Sequence, residues 1–199
     1  GHLPGAVRID WAKDLNDPLT RDFIDGEAFA ELMNRKGIAR DDTVVVYGDK
    51  SNWWAAFTLW VFELFGHSDV RLLNGGRDAW MAEERDTSYV VPEYPSANYP
   101  VVERVDENQR AFVAEVLGSL TQSGGMTLVD VRTPSEFSGL DEHGNPTSNT
   151  GVLRGGHIPG AINLDWSDAV LPNGNFRTRA ELDKLYADLN PADDTVVYC

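Results

Sequence analysis

An α/β fold made of two tandem copies of one domain is predicted by three observations. An eleven-residue phrase recurs: GHLPGAVRIDW over Gly1–Trp11 returns as GHIPGAINLDW over Gly156–Trp166, with seven identities. A second phrase recurs at nearly the same offset, DDTVVVYGD from Asp41 and DDTVVYC from Asp193. His157 follows His2 by 155 residues and Thr195 follows Thr43 by 152, as a duplication requires. Short β-branched apolar runs also alternate with segments of helical period, which is the pattern of a mostly parallel sheet flanked by helices.

In the first copy, Ala6 to Ile9 follows a Pro-Gly turn and reads as a short strand. Ala28, Phe29, Leu32 and Met33 are spaced for a helix over Glu27 to Lys36, stopped at Gly37. Thr43 to Tyr47 is almost wholly apolar, so it is expected to be a strand covered on both faces. The loop Gly48 to Asn52 leads into a helix through Trp53, Trp54, Phe57, Trp60, Val61 and Leu64, ending at Gly66. Val70 to Leu73 reads as a strand, Asn74-Gly75-Gly76 as a turn and Arg77 to Glu84 as a helix. Pro92, Pro95 and Pro100 then break the periodicity. Residues 87–105 therefore read as an extended linker between a first domain, 1–86, and a second, 106–199.

The second copy opens with helical spacing over Ala111 to Leu120 and a break at Gly124-Gly125. Thr127 to Val131 is a strand running into Asp130-Val131-Arg132. Thr133 is placed as an N-cap, with Pro134 at the first helical position and Glu136 at the third. Gly139 to Gly155 is a long polar loop, of the kind that is commonly functional. After the repeated phrase come a helix from Arg179 to Leu189, the strand Thr195 to Tyr198, and Cys199. Each copy contains pieces that the other lacks. Both domains are accordingly expected to be incomplete, and the chain to be an internal segment of a longer one.

Composition narrows the chemistry. Of 199 residues, 42% are hydrophobic and 25% charged, as in an ordinary globular protein. The net charge of −15 argues against nucleic-acid binding and against anionic membranes, so any anion site must be a local device. The longest apolar stretch, Trp53 to Phe65, is interrupted by Glu63 and too short to cross a bilayer. One cysteine excludes an internal disulfide and points to a reducing, cytoplasmic compartment.

That cysteine is the main candidate for chemistry. Cys199 ends an apolar strand, and ligands of parallel α/β sheets bind beyond the carboxyl ends of strands. A turn and helix following it would aim backbone N–H groups at the sulfur and lower the thiol pKa. The first copy has Gly48 and Asp49 at the matching place. His2 recurs in this cysteine-free copy, so His2 and His157 are expected to bond backbone near their turns rather than to act as a base. His67 follows Gly66, where a cation suits the end of a helix, and His143 lies in the polar loop. Neither has metal-ligand spacing with Cys199, and no metal is expected. Trp53, Trp54, Trp60 and Trp80 are assigned to core or interface.

GHIPGA, DVRxPxEF (Asp130 to Phe137), LLNGGRDAW (Leu72 to Trp80) and a strand ending in VVYC together resemble the rhodanese superfamily over nearly the whole chain. The arrangement is similar to tandem-domain sulfurtransferases with an inactive first domain and a catalytic second one. That resemblance implies a thiosulfate sulfurtransferase in which Cys199 carries a persulfide, with no cofactor. The partners it implies are a small-molecule sulfur donor and a thiol or cyanide acceptor, with a protein acceptor left open. Arg154 is the candidate for contacting the donor anion, and Asp130 and Arg132 are expected to hold the loop beside the site. Glu136 is a departure, because animal tandem enzymes carry a donor-contacting arginine near this place. Three rivals remain: 3-mercaptopyruvate sulfurtransferase, a rhodanese-fold phosphatase, and a non-catalytic binding or redox-sensing module. The residues that would separate the two donors follow Cys199.

Overall fold

The computed structural model describes residues 1–107, 109–121, 125–140 and 154–199. The chain divides into two compact units. One comprises Gly1–Gln109 with Pro172–Asn175, the other Arg110–Leu171 with Phe176–Cys199.

The first unit runs α1 (Trp11–Asp14), α2 (Gly26–Lys36), β1 (Val44–Val46), α3 (Trp53–Leu64), β2 (Val70–Leu72) and α4 (Gly76–Ala82). The Asp25 carboxylate accepts from Ala28 N at 2.9 Å to start α2, and Gly37, at φ 70°, ends it. Phe29, Leu32 and Met33 of α2 pack with Val61 and Phe62 of α3, and with Leu15 and Phe65, into one buried cluster. The Phe29 ring lies edge-on to Phe62 and stacked on Phe65. β1 and β2 pair in parallel, with Val44 opposite Val70 and Val46 opposite Leu72.

Two expectations about this unit are corrected. Ala6 to Ile9 forms no strand, and β1 is not covered on both faces: Val45 is 52% exposed. Both follow from strand pairing. In the second unit the matching segments flank a middle strand, whereas β1 pairs with β2 alone. Gly5 to Ile9 and Val44 to Gly48 instead face each other across an open groove. The tryptophans are also less buried than expected. Trp54 stacks flat on Trp11, with centroids 3.7 Å apart, but Trp53 and Trp54 both remain partly exposed.

Residues 89–105 are extended, without helix or strand, and are fastened along the first unit. Gly26 is required for this approach, since a Cβ there would stand 2.5 Å from Val102 O. Val105 N donates to Leu64 O, and Arg104 pairs with Asp22 at 2.7 Å. The anchor is Tyr99, which is 3% exposed. Its hydroxyl accepts from Arg40 at 2.8 Å and lies 2.9 Å from His67 Nδ1, while His67 Nε2 lies 2.9 Å from Asp42 O. His67 is 3% exposed, and its two ring nitrogens are held by Tyr99 and by Asp42 O. Burial pushes the Tyr99 phenol up, against the pull of Arg40. Tyr99→Phe leaves the buried His67 ring and the half-buried Arg40 guanidinium without this partner and is expected to cost about 1–3 kcal/mol, read from urea unfolding.

The second unit runs α5 (Val113–Ser119), β3 (Thr127–Asp130), α6 (Pro134–Ser138), β4 (Ile162–Asn163), a 3-10 turn at Trp166–Ala169, α7 (Arg179–Leu185) and β5 (Thr195–Tyr198). Its sheet is parallel, in the order β4-β3-β5. Thr178 and Glu181 close a capping box at the start of α7. Within the polar loop read from the sequence, positions 141–153, including His143, lie outside the described residues.

Candidate functional site

Three parallel strands of the second unit end together. β3 and β5 are in register from Thr127 opposite Thr195 to Asp130 opposite Tyr198, and β4 places Asn163 beside Asp130. Val131 N donates to Tyr198 O at 3.0 Å, so the ladder persists to the last residue before Cys199. Cys199 is an exposed free thiol at the carboxyl end of β5.

Next to it stands a buried ionic network. Asp130 is 0% exposed. It accepts from Arg132 N at 3.0 Å, from Arg132 Nε at 3.0 Å and from Arg132 Nη2 at 2.5 Å. Arg132 Nη2 also donates to Gly156 O at 2.8 Å, tying the end of β3 to the repeated turn. The Tyr198 hydroxyl accepts from Ile158 N at 3.1 Å and bonds the Asp130 carboxylate. Burial alone would raise the Asp130 carboxyl, but the bonds from Arg132 and Tyr198 outweigh it and hold it below the ordinary carboxylate range. The bond to Asp130 likewise raises Arg132 above the usual guanidinium value. With its guanidinium engaged by Asp130 and Gly156, Arg132 holds the turn.

Thr133 and Glu136 fix the start of α6. Glu136 Oε2 accepts from Thr133 N at 3.1 Å and from Thr133 Oγ1 at 2.8 Å, while Thr133 Oγ1 accepts from Glu136 N. Gly139 caps the other end at φ 71°. A Cβ there would stand 2.6 Å from Gly156 N, so glycine is what allows the turn to lie against α6. His157 stacks on Phe137 with centroids 3.7 Å apart, and its Nδ1 lies 2.8 Å from Phe137 O. His2 Nδ1 lies 3.0 Å from Leu3 O. Arg154 is exposed and begins the described part of this turn.

The structure therefore brings Asp130, Arg132, Gly156 and Cys199 to one edge of the sheet. It also shows two residues that sequence reasoning missed. Asn163 Nδ2 donates to Asp130 O at 3.0 Å and to Arg132 O at 2.8 Å, bracing the turn between β3 and α6. Tyr198 has a direct counterpart in the first unit, where Tyr47 OH accepts from Leu3 N at 3.0 Å. The signal is present in the sequence, since a tyrosine precedes both Gly48 and Cys199, but only the fold shows its partner.

The groups of this chain around the thiol act mainly against ionisation. Desolvation, the largest influence, and the Glu136 carboxylate push the Cys199 thiol up, while Arg132 pulls it down. The backbone amides expected to lower it belong to residues following Cys199 in sequence. The groups that surround the sulfur here act mainly in the other direction. Among the described residues, no cluster of three or more His, Cys, Asp or Glu could hold a metal ion, and no helix is long and apolar enough to cross a membrane.

Comparison with known proteins matches the rhodanese-like domain over residues 1–83 and 113–199. The whole chain is 59% identical to the "Putative thiosulfate sulfurtransferase SseA" of Mycobacterium tuberculosis, spanning 66% of its length. It is 49% identical to the sulfur carrier protein TtuD of Thermus thermophilus, spanning 71% of that protein. Among solved structures, the 3-mercaptopyruvate sulfurtransferase SseA of Escherichia coli superposes with a TM-score of 0.81 at 26% identity. That match covers all of this chain and 72% of the other.

Proposed function

This chain belongs to the rhodanese-like domain family, and on that premise we propose that it is part of a sulfurtransferase working through a persulfide on Cys199. The single observation that carries the reading is the placement of Cys199. It is the one cysteine of the chain, and it stands at the carboxyl end of β5 beside the Asp130–Arg132 network. The matching strand of the first unit ends at Tyr47 and Gly48, so the first copy acts as scaffold.

In the proposed cycle the Cys199 thiolate attacks the outer sulfur of thiosulfate. A new S–S bond forms, the donor S–S bond breaks, and sulfite leaves with the bonding electrons. The product is a cysteine persulfide anion. A thiol or cyanide then attacks its terminal sulfur, removes it, and returns the Cys199 thiolate. This is covalent catalysis of the double-displacement kind, and it calls on no metal or organic cofactor. Arg154, just before the Gly155-Gly156 turn, is proposed to meet the donor anion, while Asp130 and Arg132 hold that turn in place. The mycobacterial relative supports thiosulfate as donor. The Thermus relative supports a second acceptor class, a thiol on another protein. A nucleophile that must stay a free thiol suits a reducing, cytoplasmic setting.

The test is mass spectrometry of the full-length protein after thiosulfate and then cyanide. Cys199 is expected to gain one sulfur atom and to lose it to cyanide. A gain with mercaptopyruvate but not thiosulfate would transfer the assignment to that donor. No gain with either, in protein with a titratable thiol, would overturn the enzymatic reading.

A further inference from the structure

We infer that Tyr198 is a positioning residue for the donor half of the reaction: its hydroxyl holds the turn that follows Arg154 in place relative to Cys199. The inference rests on the proposed persulfide chemistry of Cys199 and on Arg154 meeting the donor. Tyr198 is the last residue of β5 and directly precedes Cys199. Its backbone is fixed just past the end of β3, where Val131 N donates to Tyr198 O at 3.0 Å. Its side chain reaches the repeated turn, where Ile158 N donates to the Tyr198 hydroxyl at 3.1 Å, four residues after Arg154. The strand that presents the sulfur is thus bonded directly to the turn that follows the arginine.

Other elements hold the same turn. Arg132 Nη2 donates to Gly156 O at 2.8 Å, and His157 is stacked on Phe137 of α6. Neither contact involves β5. Loss of the Tyr198 hydroxyl leaves those fastenings and removes the one to the strand of the nucleophile, so Arg154 is displaced on an intact sheet. A misplacement of about 1 Å can cost a reaction about a hundredfold. The first unit supplies an internal control. Tyr47 OH accepts from Leu3 N at 3.0 Å, and Leu3 follows His2 as Ile158 follows His157. There the same bond stands in a copy with Gly48 where the second has Cys199.

The two half-reactions make different demands. Thiosulfate must be oriented as its outer sulfur meets Cys199, so it depends on the arginine. Cyanide attacks a sulfur already held on Cys199 and needs no contact with Arg154. In a double displacement, kcat/KM for each substrate reports its own half. Partial unfolding would lower both values equally, by reducing the active fraction. Mispositioning of the turn lowers only the first.

In the full-length protein, Tyr198→Phe is expected to lower kcat/KM for thiosulfate about tenfold and to leave kcat/KM for cyanide within about twofold of wild type. Tyr47→Phe removes the twin bond and is expected to leave both values within about twofold. Arg154→Gln is expected to lower the thiosulfate value by itself. Adding Tyr198→Phe to it should cost less than about twofold more, because both act through one contact. Equal losses for the two substrates, no loss for thiosulfate in Tyr198→Phe or in Arg154→Gln, full additivity of the pair, or the same split in Tyr47→Phe would each overturn the inference. A measurement on the wild-type protein stands apart from the folding of any variant. The Ile158 amide should be protected from hydrogen exchange, and exchange at the rate of an unbonded loop amide would also overturn the inference. Persulfide formation on Cys199 is scored in the same samples. Its absence from wild type overturns the proposed function, whereas a persulfide with an unchanged thiosulfate value in Tyr198→Phe overturns only the role of Tyr198.

Discussion

Replacing Cys199 by serine in the full-length protein is expected to lower sulfur transfer from thiosulfate to cyanide by more than about a thousandfold. A serine hydroxyl stays protonated and cannot hold a transferable sulfane sulfur. The loss should fall on kcat, and no sulfur adduct should form on the variant. The fold should be undisturbed, because serine is nearly isosteric with cysteine and the β3–β5 ladder is built from backbone groups up to Tyr198. Thermal melting within a degree or two of wild type is therefore part of the expectation. Thiosulfate-dependent activity that survives in the variant would remove Cys199 from the mechanism.

Replacing Asp130 by alanine is expected to have the largest effect on stability, about 3–5 kcal/mol, read from denaturant unfolding of the second unit. The size follows from what is stranded. Arg132 keeps its charge in a largely buried place, and both its backbone N–H and the Tyr198 hydroxyl lose the acceptor they now share. The pH dependence has a definite sign. The Asp130 carboxyl titrates below its unfolded value, so its stabilisation is fully present above about pH 4 and disappears as pH falls through the folded value. The gap in stability between wild type and Asp130→Ala should therefore be constant near neutrality and narrow only in acid. A gap that widened on acidification would mean the carboxyl is not held ionised by Arg132.

Much of this site is legible in the sequence alone. Thr133, Pro134 and Glu136 signal a helix start through local chemistry, and the structure has the capping box there. The duplication also identifies which copy retains the cysteine, because one strand recurs with Gly48 at its end and the other with Cys199. By contrast, the twin tyrosine bonds, Tyr47 to Leu3 and Tyr198 to Ile158, span 44 and 40 residues. Nothing in either segment alone shows that they meet.

The misreadings have the same origin. Thr43 to Tyr47 has the composition of a strand covered on both faces, but burial depends on what stands beside it. In this chain β1 has β2 on one side and an open groove on the other. The helix-end reading of His67 rests on Gly66 alone, whereas its ring partners are Tyr99 and Asp42 O, 32 and 25 residues away in sequence.

The repeat, the parallel α/β class, the helix start at Thr133 and the chain's one cysteine can all be read without the fold. Each of these is written in local periodicity or in the likeness of one segment to another. The fold alone shows that Arg132 is engaged by Asp130 and Gly156, that Asn163 braces the turn, and that Tyr198 meets Ile158. Those relations depend on the parallel register that brings the ends of β3, β4 and β5 to one edge, and register is a property of strands meeting across the fold.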